Sequence, residues 1–335
     1  MIRFLSNLLR APLLVAALVM AVAVPTQANE PFRVGYVRVM DDAQAMLAYE
    51  ADLYEKHGLD AELVEFSSGT DLIKGIVGGQ LDIGVLGFSN AFTWAARGAD
   101  LKIVGGAQRG YHSLLVREDS GIESVEDLKG KNLASQKQGS TADIVLKGVM
   151  LENAGLAPED LNIMGVAPAV AVQSLVGGRV DAAFLFEPYD RIAQLVAPVK
   201  QIYEIGEVWP FPCMVVITSG ETLEKRRDAL WAAMDAQREA IEMLENDPDK
   251  AAPYITDYFI KEDVVKSREK GDVPAEEVIS QAIQTNDFSA RLTEEDIDRM
   301  KELAGIMQEQ GILETEGTFD VDALLDLSWQ QEREL

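Results

Sequence analysis

Few residues in this chain of 335 could do covalent or metal chemistry. The histidines are His57 and His112, and the sole cysteine is Cys213. Neither histidine has a partner at metal-ligand spacing, and one cysteine makes neither a CxxC site nor an intramolecular disulfide. The sequence holds no GxSxG elbow, Walker loop or GxGxxG fingerprint. What remains is binding chemistry. Glu187 leaves an otherwise apolar run, AAFLFEPY, and its carboxylate could accept from an amine, an amidine or a ring N–H. A partly exposed strand-end carboxylate is the alternative, with Pro188 opening the next helix. Gly139, Ser140 and Thr141 open a helix whose unpaired N–H groups suit an anionic oxygen, or else Ser140 or Thr141 caps that helix. No catalytic residue, metal or cofactor is expected. The residue types leave acid–base work by Glu187 with Asp41 open, but it suits an exported protein of this pattern poorly.

These residues need elements to position them, and a repeat supplies the pattern. VGGQLDIGVLGFSN at 77–90 matches VGGRVDAAFLFEPY at 176–189 in its valine, both glycines, its aspartate and one leucine. Each block reads as a helix end, a double-glycine turn and a buried strand. The glycines let the chain turn tightly, and Asp82 and Asp181 are expected to hydrogen-bond that turn. Upstream, KHGL at 56–59 and NAGL at 153–156 each end an earlier helix at glycine. Two copies of one βα module therefore face each other from two lobes.

Strands are expected at 32–39, 59–66, 81–86 and 101–107, with helices between them, one capped by Asp41 or Asp42. That rhythm calls for a mostly parallel sheet covered on both faces. A strand at 111–117 precedes a restart of the same rhythm at 131–135, 161–166 and 180–186. Crossings near 113–117 and 213–218 insert the second lobe into the first, and everything from 221 to 335 reads as helical. Ligands sit beyond the carboxyl ends of strands in such sheets. That rule selects Met40, Asp41, Ser68, Phe88, Ser89 and Asn90 in one lobe, and Gly139, Ser140, Thr141 and Glu187 in the other. Trp209 and Phe211, flanked by prolines, stand before the return crossing as candidate pocket walls.

Residues 1–28 read as a secretory signal: Arg3 and Arg10, an apolar run at 11–24, and small residues ending at Ala28. The apolar run is short for a bilayer span of roughly 20 residues. The chain carries 56 acidic against 30 basic residues, which disfavours non-specific binding to nucleic acid or anionic lipid.

In order, the opening strand, the HGL helix end, the polar loop at 67–70, GGQLDIG at 78–84, QGST at 138–141 and FEPY at 186–189 carry a resemblance. The chain resembles the periplasmic substrate-binding proteins of ABC importers, in the nitrate/sulfonate/taurine and thiamine-pyrimidine group. The resemblance implies an α/β fold of the type II periplasmic binding protein kind: two lobes, two hinge strands and a helical C-terminal part. The expected limits are 1–28 for the signal, 29–114 with 215–335 for the first lobe, and 115–214 for the second. It implies a monomeric periplasmic protein that closes on a small sulfonate-, taurine- or nitrate-like solute and docks on a permease with a cytoplasmic ATPase. A pyrimidine or aromatic compound is the alternative ligand. An enzyme or sensor on the same lobes is the alternative class; enzymes of this fold that make thiamine pyrimidine need a cysteine-rich motif, which one cysteine excludes.

Overall fold

The computed structural model describes residues 30–335. The signal expected at 1–28 lies outside the described residues. Among those described, no helix is long and apolar enough to cross a membrane.

Two sheets form the frame. Strands β1 (Phe32–Val37), β2 (Ala61–Phe66), β3 (Ile83–Gly87) and β4 (Leu101–Arg109) come first in the chain. Next are β5 (Ser113–Arg117), β6 (Asn132–Ser135), β7 (Asn162–Gly165), β8 (Ala182–Leu185) and β9 (Val199–Glu204). Last are β10 (Pro212–Ser219), β11 (Val264–Ser267), β12 (Gly271–Pro274) and β13 (Asp287–Phe288). The first sheet has the order β13-β4-β10-β3-β1-β2, and the second β7-β6-β8-β5-β9. The second lobe, β5 to β9, is thus inserted into the first, as the sequence implies. The crossings differ in detail. Segments 113–117 and 213–218 pair inside the sheets as β5 and β10, so the chain passes between sheets at 110–112 and returns at 205–211.

The first sheet is more mixed than expected. β1 lies parallel to β2 and β3, but β10 enters between β3 and β4 antiparallel to both. Returning directly from the other lobe, it arrives running the opposite way. The C-terminal part is also not wholly helical. β11 and β12 form a hairpin, and β13 extends the first sheet beside β4.

Burial follows the strand period of two. Val215 and Ile217 face one core and Val216 the other. The first of these cores continues into the second lobe through Leu114, Val116, Leu133 and Phe184. The other packs beneath helices Ala43–Glu50, Arg227–Asn246 and Ala275–Thr285.

The repeat has a structural counterpart. Gly79 and Gly178 have φ of 69° and 67°, so each turn needs the left-handed conformation. The aspartates do not hold that turn, however. Asp82 accepts from the Arg33 amide and Asp181 from the Asn132 amide, each at 2.8 Å and across 49 residues. Each clamps the start of the adjacent strand, so the modules share a long-range tie as well as a sequence.

Candidate functional site

The strand exits of the two lobes meet. Ser89, just after β3, bonds Thr141, which opens helix Thr141–Val145 of the other lobe, with their hydroxyl oxygens 2.9 Å apart. Both residues are buried. Thr141 sits directly on Gly87, where a β-carbon would collide with its hydroxyl. Phe88 packs on Phe92 in the core behind this contact, and Asn90 donates to the Gly87 carbonyl at 3.2 Å.

A second meeting point is acidic. Asp41, in the turn Met40–Asp42 after β1, is 2% exposed and Met40 beside it is fully buried. Neither Asp41 nor Asp42 caps the following helix, as the sequence suggested. Asp42 instead reaches back to the Val37 amide at 2.7 Å. Burial, reinforced by the charge of Asp190 across the cleft, pushes Asp41 up to about 7. Glu187 is 1% exposed and lies past β8, before a cis peptide to Pro188. Its Oε1 accepts from Arg191 Nη2 at 2.9 Å. Burial first, then Asp190, holds it well above the usual carboxylate range against the pull of Arg191. Arg191 also donates to Thr285 at 2.7 Å and Gln281 at 3.3 Å, both on a helix of the other lobe. Asp190 accepts from Tyr111 and Ser113, each at 2.9 Å.

Aromatic rings line the crossings. His112 has ring neighbours Phe184, Phe186 and Phe211 at 5.4, 5.8 and 6.5 Å between centroids. Burial lowers it to about 4, so the ring is neutral at physiological pH. Phe211 covers Gly110, whose amide donates to the Phe211 carbonyl at 2.7 Å. Glu204 accepts from the amides of Gly206, Glu207 and His112 at 2.6, 2.8 and 3.3 Å, stapling one crossing to the other. The crossings therefore form a hinge of paired backbone.

The other candidates stand differently. Ser68 caps helix Gly69–Val77, accepting from the Asp71 amide at 3.3 Å. Ser140 caps its own helix through the Asp143 amide at 3.2 Å, and the Gly139 amide donates to the Asp143 carboxylate at 2.9 Å. Asp143 thereby occupies the anion-favouring end of that helix, paired with Lys147. Ser140→Ala should lower stability by about 1 kcal/mol, measured by urea unfolding. Trp209 is half-buried against Phe211, with the Arg299 guanidinium 4.5 Å from its ring centroid. Asp190, Arg191, Tyr111, His112 and Ser113, which the fold brings to these contacts, are not among the candidates that the sequence selects. Asp190 carried a signal, because it directly follows FEPY.

Two lobes, a paired hinge and polar groups converging from opposite strand exits define a class, the periplasmic binding protein fold. A model of the NMT1-like family matches residues 26–256, and the chain belongs to that family. It is 28% identical over 248 residues to a protein of Bacillus subtilis (strain 168) described as aliphatic sulfonates-binding, covering 72% of this chain and 74% of that one. An Escherichia coli (strain K12) protein of the same description is 32% identical over 175 residues, 51% of this chain and 54% of the relative. The crystal structure of the periplasmic aliphatic sulphonate binding protein SsuA from Escherichia coli superposes with a TM-score of 0.74 at 23% identity, covering 90% of this chain and 98% of that one. The alkanesulfonate-binding protein SsuA from Xanthomonas axonopodis pv. citri, bound to MOPS, gives 0.73 at 22%, covering 90% and 100%.

Proposed function

We propose that the chain is a monomeric periplasmic solute-binding protein without catalytic turnover. It delivers a small sulfonate- or taurine-like molecule, anionic or zwitterionic, to a permease driven by a cytoplasmic ATPase. The observation that carries this reading is the buried Ser89–Thr141 bond, which joins the exit of β3 in one lobe to the helix that follows β6 in the other. A solute held there touches both lobes only when they are closed, so binding favours the closed state. The names of the relatives support the solute class, and the lobes proposed to close on the solute are 29–114 with 215–335 and 115–214. A pyrimidine or other aromatic solute is the second reading, favoured by the ring wall of His112, Phe186 and Phe211.

Thermal melting against sulfonates, taurine, nitrate, aromatic carboxylates and aminopyrimidines tests both. At least one compound should raise the melting temperature. If none does, and mass spectrometry finds no solute released from the purified protein, the small-solute reading fails.

A further inference from the structure

Resting on that reading, we propose that the solute presents a positively charged, N–H-bearing nitrogen to Asp41, Glu187 and Asp190. These three carboxyls then decide which solutes are accepted. An aliphatic ammonium and a protonated amino-substituted ring both meet this requirement, because they offer the same charge and donors.

The argument begins with unpaired oxygens. Asp41 Oδ1, Glu187 Oε2 and Asp190 Oδ1 are each buried without a hydrogen-bond partner. Their residues are 2%, 1% and 0% exposed. Buried polar atoms are nearly always hydrogen-bonded, and buried charges nearly always paired. These oxygens also belong together. Asp190 acts electrostatically on both Asp41 and Glu187. Three residues apart in the chain, Asp190 and Glu187 disfavour each other's charged form, and two carboxylates cannot hydrogen-bond one another.

Charge is the second step. Arg191 is the guanidinium paired with this cluster; its Nη1 and Nη2 serve Gln281, Glu187 and Thr285, while its Nε is buried without a partner, so one guanidinium faces three carboxyls. The hydroxyls of Tyr111 and Ser113 bind the other oxygen of Asp190 and bring no charge. Arg38, on the first lobe, is held by Glu65. His112 is neutral, with Nδ1 unpartnered. Lobe closure therefore gathers acids that repel one another and desolvates them together. A plain alkanesulfonate or nitrate adds a further negative charge to the closed cleft. A cationic nitrogen removes the repulsion and supplies donors to buried oxygens that both lobes carry, which is the condition for specificity by unmatched partners.

Isothermal titration with two matched pairs tests this. Taurine is compared with isethionate, which has a hydroxyl in place of the amine, and 4-amino-2-methylpyrimidine with 2-methylpyrimidine. In at least one pair the amine-bearing member should bind about tenfold tighter or more, and the pair that shows this identifies aliphatic or ring nitrogen. Asp41→Asn, which keeps the shape and removes the charge, should erase most of that preference. If the amine-free partners bind as tightly, or if the solute released from the purified protein has no basic nitrogen, the inference is overturned and the solute-binding reading stands. Failure of all four compounds, with no released solute, removes both. The comparison on the unaltered protein decides the matter even if Asp41→Asn folds poorly.

Discussion

Arg191→Ala should destabilise the protein by about 3 kcal/mol and lower its melting temperature by about 6 °C. Arg191 Nη2 donates to Glu187 at 2.9 Å and to Thr285 at 2.7 Å, so one guanidinium neutralises a buried carboxylate and ties helix Tyr189–Val196 to helix Ala275–Thr285. Alanine leaves Glu187 buried and unpaired beside Asp190. Uptake of a proton by Glu187, whose affinity for it is already raised, limits the penalty without removing it, because the tie to Thr285 is lost as well. The paired test is a double-mutant cycle. Adding Glu187→Gln to Arg191→Ala should recover more than half of the loss, since the unpaired charge is then gone. A fall of less than about 1 kcal/mol in the single variant would mean that Glu187 is neutral in the unaltered protein and that Arg191 is dispensable.

That interaction shows how far the sequence could be read. Glu187 was identifiable because it ends an apolar strand in a repeated module, and Ser89 and Thr141 because they follow strands whose carboxyl ends must face the cleft. Asp41 was identifiable by position, although its apparent capping role was wrong. Arg191 and Asp190 were not identified, because nothing local in FEPYDR shows which distant residues they meet. Their roles depend on Thr285, Tyr111 and Ser113, which lie far away in sequence. The same distinction holds for the fold. Local signals placed the strands of both modules and the left-handed glycines at Gly58 and Gly155. The entry of β10 between β3 and β4 depends on a partner chosen after the whole second lobe, and no local pattern encodes it. The β11–β12 hairpin carries a charged KSREKGD stretch and largely exposed strands, so it lacks the alternation by which strands are recognised.

Gly87→Val should weaken solute binding about tenfold to a hundredfold while leaving the melting temperature of the solute-free protein within about 2 °C of its starting value. Gly87 ends β3 and carries Thr141 of the other lobe directly above it. Even the first side-chain carbon would overlap the Thr141 hydroxyl, and valine adds two more. Inserting methyl groups into a tight contact costs about 1–3 kcal/mol. Here that cost falls on the closed form alone, because in the open form the lobes part and the added methyls face solvent. A penalty on one of two conformations passes into the apparent affinity, at a factor of ten for each 1.4 kcal/mol or so. The site of the cost is what the measurement separates. If Gly87 mattered only for packing within its own lobe, melting temperature and affinity would fall together. If closure is the step that valine obstructs, affinity falls alone, and trimming the opposing side chain with Thr141→Ala in the same protein should restore part of it. Binding by titration and melting without solute, measured on the same three proteins, distinguish these outcomes. Loss of stability without loss of affinity would show that the Ser89–Thr141 contact is not the surface on which the lobes close.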